Sequence, residues 1–251
     1  MGRSRAARVR ETLDTSVGEA LRDGATQVVE AVKPRLRGWI HAGMLPLVMA
    51  AVIVLIALSP TPAAKVSTAV FALTSVLLFG VSAVYHLGTW SPRVTGVLRR
   101  VDHSNIFLII AGTATPLGVI LLEPPTARVL LWIVWLGALA GLTGRVLWLG
   151  APRWLYTPLY VLLGCVMLGF LPQFAAGGGA VIVWLIVTGG AAYIAGAVVY
   201  ATKRPNPSPR WFGFHEVFHA LTVVGFTCNY VAVSIASYNY AAVSIASYGK
   251  V

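Results

Sequence analysis

The chain has 251 residues, 57% of them apolar and 11% charged, with a net charge of +11 and a mean hydropathy of +0.78. A soluble domain runs nearer half apolar and a quarter charged, and a globule of this size could not keep so much apolar surface from water. The composition therefore excludes a disordered chain, a coiled coil and a disulfide scaffold, and it specifies an integral membrane protein. Nucleic acid is excluded as a partner too, because the 19 Lys and Arg residues lie mainly in the amino-terminal segment and in alternate loops, not on one soluble module. Cys165 and Cys228 sit inside apolar runs without paired spacing and read as small buried residues.

Residues 1–38 form the first unit. They carry five of the chain's eight acids. Val9, Leu13, Val17, Leu21, Val28 and Val32 recur at roughly helical spacing. This predicts a cytoplasmic amphipathic helix, either lying on the membrane surface or held as a solvated arm. The polar lead is too long for a signal peptide.

Residues 39–238 form the second unit, with spans predicted at Trp39–Ser59, Val66–Leu87, Val101–Leu122, Ala127–Leu149, Leu155–Leu171, Ala180–Ala201 and Gly213–Tyr238. The breaks between them hold turn residues, among them Ser59-Pro60-Thr61-Pro62, Glu123-Pro124-Pro125 and Gly177-Gly178-Gly179. The runs are too long for barrel strands, so they are helices. Lys and Arg crowd one set of loops. The other set has only Lys65, Arg128 and Lys250. The predicted fold is an all-α integral membrane protein, a seven-transmembrane helix bundle with its amino terminus in the cytoplasm and its carboxyl terminus outside. Its place is the cell membrane, plasma or inner, as a multi-pass protein.

Residues 239–251 form a tail. Asn229–Tyr238 reads NYVAVSIASY and Asn239–Tyr248 reads NYAAVSIASY, the mark of a recent tandem duplication, natural or introduced in cloning. A single helix over Gly213–Tyr248 would be ~54 Å long against a ~30 Å hydrocarbon core. The second copy is therefore expected to leave the bundle or extend beyond it.

Ionisable residues within spans are costly and mark function by default. By span direction, His86, Asp102, His215 and His219 fall within about two turns of one membrane face. His215 and His219 are four apart on one helix face, a spacing that suits two ligands of one metal. Ser82 lies one turn before His86 on the same face. Three neutral imidazoles plus water make a common catalytic zinc shell, and Asp102 is placed to take the proton of a metal-activated water. A plain hydrogen-bonded polar cluster and a purely structural metal site are the rival readings.

The string His215-Glu216-Val217-Phe218-His219 also fits H-E-x-x-H, the zinc-protease motif. Such proteases take a further ligand downstream, whereas no His, Asp or Glu follows His219. Glu216 is read as a cap or ion-pair partner near the helix start, and as a second-choice base. His103 is left between supporting the site and facing an interface. His41 is read as an interfacial residue. Trp90, Trp154, Trp211 and Phe212 read as an interfacial aromatic belt.

Taken in order, several pieces resemble the hemolysin III family, the bacterial branch of the progestin and adipoQ receptor (PAQR) family. They are Lys33-Pro34-Arg35-Leu36-Arg37-Gly38 with His41, Ser82-x3-His86, Asp102, and Lys203-Arg204-Pro205 leading through Phe212-Gly213-Phe214 to His215-x3-His219. The resemblance spans residues 33–238. It implies seven transmembrane helices, an intracellular amino terminus, and zinc bound by His86, His215 and His219. It also implies a zinc-bound water held by Asp102 with Ser82 adjacent, and a lipid amide substrate of ceramidase type. Three functions follow. The first is a zinc-dependent hydrolase that cleaves amide or ester bonds of membrane lipids, with Asp102 as base and Ser82 donating to the oxyanion. The second is a membrane sensor or receptor in which zinc pins two spans together. The third is a lytic pore, although no continuous polar stripe lines the spans.

Overall fold

The computed structural model describes residues 34–148 and 153–248. The predicted amphipathic helix before Pro34 and the last three residues of the tail lie outside them. The described residues fold as helices joined by turns, in the order α1 (Trp39–Leu58), α2 (Pro62–Leu87), α3 (Pro92–Leu121), α4 (Pro124–Leu147), α5 (Arg153–Cys165), a 3₁₀ segment (Val166–Phe170), α6 (Leu171–Thr202) and α7 (Phe214–Tyr248). Six apolar stretches among them are long enough to cross a membrane, and Leu155–Thr202 counts as one of these. The chain is an all-helical membrane protein.

Helix starts follow the local chemistry. The Thr61 hydroxyl accepts from the Ala64 amide at 3.1 Å and Pro62 opens α2, so the first turn is capped and its missing donor is harmless. Ser91 and Pro92 do the same for α3, the Ser91 hydroxyl accepting from Val94 N at 3.5 Å. This cap starts α3 nine residues before the expected Val101. Asp102 accordingly lies in the third turn of its helix, not at the helix start. The Gly177–Gly179 run interrupts the chain as its composition suggests. Gly179 leaves helical geometry at φ 79° and ψ 175°, so that α6 is two helices meeting across a kink. A 3₁₀ turn, Val166–Phe170, precedes it.

Sequential neighbours α1–α2, α2–α3 and α3–α4 pack together, as do α6 and α7, and α7 closes against α1 and α3. The core between them holds Phe71, Phe79, Phe174, Leu117 and Ile182, all fully buried. At one end, Ser59 Oγ meets Thr68 Oγ1 and Ser237 Oγ, each at 3.1 Å, joining α1, α2 and α7. A pair bond of this kind contributes about 0.6 kcal/mol between membrane helices.

At the opposite end the chain before α1 pairs with the chain before α7. Arg35 N donates to Arg210 O at 3.0 Å and Leu36 N to Trp211 O at 3.2 Å. The Arg35 guanidinium stacks 4.7 Å over the Trp211 ring. Two segments far apart in sequence are thereby held side by side where α1 and α7 begin. Helix α7 then runs unbroken through both copies of the ten-residue repeat, 35 residues in all and roughly 52 Å. The second copy extends α7 rather than turning away from it.

Candidate metal centre

Helix α2 brings Ser82 and His86 to this end on one face, both buried. Helix α7 brings His215 and His219 on one face, one turn apart. The start of α7 is fixed by Glu216, which is fully buried. Its Oε2 accepts from Gly213 N at 2.7 Å and its Oε1 accepts from Arg37 Nε at 3.0 Å. Asn206 Oδ1 accepts from Phe214 N at 3.1 Å. These acceptors satisfy amides that an α-helix leaves unpaired in its first turn, and the carboxylate sits at the positive end of the helix dipole. Glu216 is thus engaged as a cap and ion-pair partner, the first of the two roles expected for it.

Three imidazoles converge. His215 Nε2 lies 3.2 Å from His86 Nε2. One ligand nitrogen from each of His86, His215 and His219 falls within 4.8 Å of the others. Ring centroids are 4.7 Å apart for His86–His215, 5.1 Å for His86–His219 and 4.6 Å for His215–His219. Nitrogens about 2.05 Å from a tetrahedral zinc would sit about 3.3 Å from one another, so the His86–His215 separation already fits that shell. His219 Nδ1 is buried with no hydrogen-bond partner among the described residues. A neutral three-nitrogen set of this size suits zinc, and suits other divalent transition metals also.

Asp102 reaches the same cluster from α3. Its Oδ2 is 4.0 Å from His86 Nε2, and the Ser82 hydroxyl donates to the carboxylate. That distance is too long for a hydrogen bond and leaves Asp102 one water's width from the imidazoles. His103, the next residue, turns away. Its Nδ1 contacts Arg99 O at 2.6 Å and its Nε2 meets Tyr200 Oη at 3.2 Å. The Tyr200 ring in turn lies 5.8 Å from that of His215.

His41 is not interfacial. It is 2% exposed and its ring stacks on His219 at 3.9 Å with 8° between planes. Phe79 meets its edge at 4.9 Å. The cause is Gly38, whose φ is 87° and whose missing Cβ would sit 2.8 Å from His86 Cβ. Only glycine allows both the left-handed turn and the approach, and His41 follows one helical turn later. The Gly38-x2-His41 spacing was the available signal.

Beside the cluster a cavity of about 270 Å³ opens into the bundle. His41, Ser82, Asp102 and His219 line one part of it. Elsewhere its wall is mostly apolar, with Leu78, Ile106, Ile110, Ile186 and Phe218. A polar cluster thus faces a pocket suited to a lipophilic group.

Comparison with known proteins identifies a family. The profile of the Haemolysin-III related family matches residues 29–230. The chain is 31% identical over 151 residues to the Hemolysin-3 homolog of Bacillus subtilis (strain 168), covering 59% of this chain and 70% of that one. It is 29% identical over 147 residues to Hemolysin-3 of Bacillus cereus, covering 57% of this chain and 65% of that one. With the match running from the turn before α1 well into α7, the chain belongs to the haemolysin-III-related family.

Proposed function

We propose that the protein is a metal-dependent hydrolase of membrane lipids, cleaving an amide or ester bond, with zinc held by His86, His215 and His219. The observation that carries this reading is the meeting of a three-imidazole cluster with Asp102 and Ser82 at the polar part of a mostly apolar cavity. When bound, such a metal polarises a carbonyl and lowers the pKa of a water. The chain's own residues do the rest. Asp102 accepts the proton of the attacking water and delivers it to the leaving group. Ser82 orients the Asp102 carboxylate through the bond it already makes. Leu78, Ile106 and Ile110 receive the lipid chain and keep bulk water from the reacting carbonyl.

In this proposal the bundle crosses the plasma membrane seven times, with its amino terminus and the histidine cluster on the cytoplasmic side. Leu155–Thr202 holds 48 residues, roughly 72 Å of helix. That is more than twice a hydrocarbon core of about 30 Å. The break at Gly179, where two helices meet across a kink, supplies the corner for two crossings. The excess of Lys and Arg in alternate loops supports the orientation.

The test is elemental analysis of purified protein followed by hydrolysis of a lipid amide and ester panel. About one zinc per chain is expected, with cleavage that falls about 10²- to 10⁴-fold in Asp102→Ala. Absence of metal after zinc loading, or an Asp102→Ala variant as fast as wild type, refutes the hydrolase. Zinc bound with no cleavage of any lipid would favour the sensor reading.

A further inference from the structure

Buried polar atoms without a hydrogen-bond partner gather in a second place among the described residues. Arg145, in the last turn of α4, is 8% exposed, and its Nε and Nη1 are enclosed and unpartnered. Its Cζ lies 4.3 Å over the Tyr156 ring of α5. Arg100 Nε and Ser104 Oγ on α3, and Thr157 Oγ1 on α5, share the same condition.

These groups belong to one level of the bundle. Phe107 of α3 packs on the backbone of Gly141 in α4 and against Tyr160 of α5. From that contact, one turn toward the histidine end leads to Ser104 on α3, to Arg145 on the antiparallel α4, and to Tyr156 and Thr157 on α5. Arg100 follows one turn below Ser104. No described carboxylate is committed to Arg145. Asp102 is bonded to Ser82 and Glu216 to Arg37 and Gly213. Glu123 stands at the other end of α4, 22 residues and roughly 33 Å away.

A guanidinium taken out of water without a counter-anion is strongly unfavourable. We infer that the corner between α3, α4 and α5 is an anion site that takes a phosphate group, supplied by the headgroup of an anionic membrane lipid. The planar fork of Arg145 matches two phosphate oxygens. Ser104 and Thr157 offer hydroxyl donors, and Tyr156 covers the other face of the guanidinium. A lipid fits better than free phosphate because the flank of α4 beside Arg145 is apolar and open. Val146, Leu147 and Trp148 are all exposed there, and lipid tails would pack on them. The inference stands apart from the metal centre and from the hydrolase reading.

Delipidated full-length protein in detergent provides the test. Dioleoylphosphatidylglycerol, dioleoylphosphatidylcholine and sodium phosphate are titrated separately, with retained lipid read by native mass spectrometry and the thermal midpoint read in parallel. Wild type should retain a single phosphatidylglycerol in preference to phosphatidylcholine. Arg145→Met should weaken that binding about 10- to 100-fold, the worth of charge-assisted hydrogen bonds. Arg145→Lys, which keeps the charge but not the fork, should fall between them and guards against a folding defect in the methionine variant. Arg93→Gln, which removes an exposed arginine at the same end, should bind as wild type does. Equal retention of the two lipids, or full retention by Arg145→Met, overturns the site. A phosphate-dependent shift that Arg145→Met abolishes, without preference for phosphatidylglycerol, overturns the lipid as its source.

Discussion

Gly38→Ala is the sharpest single perturbation of the centre. The added methyl group meets two obstacles. At φ 87° an alanine pays about 1–2 kcal/mol for the left-handed backbone. Its Cβ would also stand 2.8 Å from His86 Cβ and 3.1 Å from Leu87 Cγ, whereas carbons settle at about 3.5–4.0 Å. Neither the new methyl nor the His86 Cβ can rotate out of the way. The start of α1 and the end of α2 must therefore separate by about 0.7–1.2 Å. Metal sites tolerate about 0.2 Å in ligand distance, so His86 should be carried out of register with His215 and His219. Zinc affinity, read by competition with a chelator, should drop about 10- to 100-fold, and the apo protein should melt lower. Gly43→Ala is the control on the same helix. No atom lies within 4 Å of its added Cβ, and alanine should stabilise the helix by about 0.5–1 kcal/mol. A Gly38→Ala protein that binds zinc as wild type does would refute the account of how α1 sets the site.

Other substitutions separate the roles of neighbouring groups. Glu216→Gln keeps an acceptor for Gly213 N but loses the charge facing Arg37; it should cost about 1–3 kcal/mol of stability and keep turnover within about tenfold of wild type, whereas a protease-type base at this position would lose nearly all activity with no loss of stability. His41→Phe should preserve zinc affinity because the flat ring still covers His219, while His41→Ala should cost about 2–5 kcal/mol in thermal stability as the stack becomes a void; equal behaviour of the two would show that the stack does not support His219. Chelation should lower the melting midpoint of wild type, since zinc at a hundred times its dissociation constant adds about 2.7 kcal/mol, and should leave His86→Ala unmoved.

Much of the centre was readable because depth in a membrane can be counted along a helix. Once span directions are assigned, His86 near the end of one helix and His215 and His219 near the start of another must share a layer, and Ser82 follows from the one-turn spacing. The same count finds Asp102 even though its helix begins about two and a half turns earlier than expected. The run Arg93–Arg100 has the composition of a loop, while the Ser91 cap and Pro92 carry it into the helix. Glycine is a more direct signal. Gly177–Gly179 is a break by propensity, and Gly179 does leave helical geometry, with two helices meeting there across a kink.

The burial of His41 is not legible in the sequence because it depends on contacts that no helical period encodes. It requires the left-handed turn at Gly38, the bonds from Arg35 and Leu36 to the loop before α7, and the Arg37–Glu216 pair across 179 residues of sequence. These same contacts explain why Glu216 stands inside an H-E-x-x-H string without a protease's chemistry. A carboxylate that caps α7 and holds Arg37 fixes the azimuth of His215 on one side and His219 on the other. The turn before α1 is in turn pressed against His86. The three imidazoles therefore meet through the paired segments 34–38 and 206–213 as much as through helix packing. In this arrangement the chain just outside the bundle belongs to the metal centre, and the histidines are its inner part.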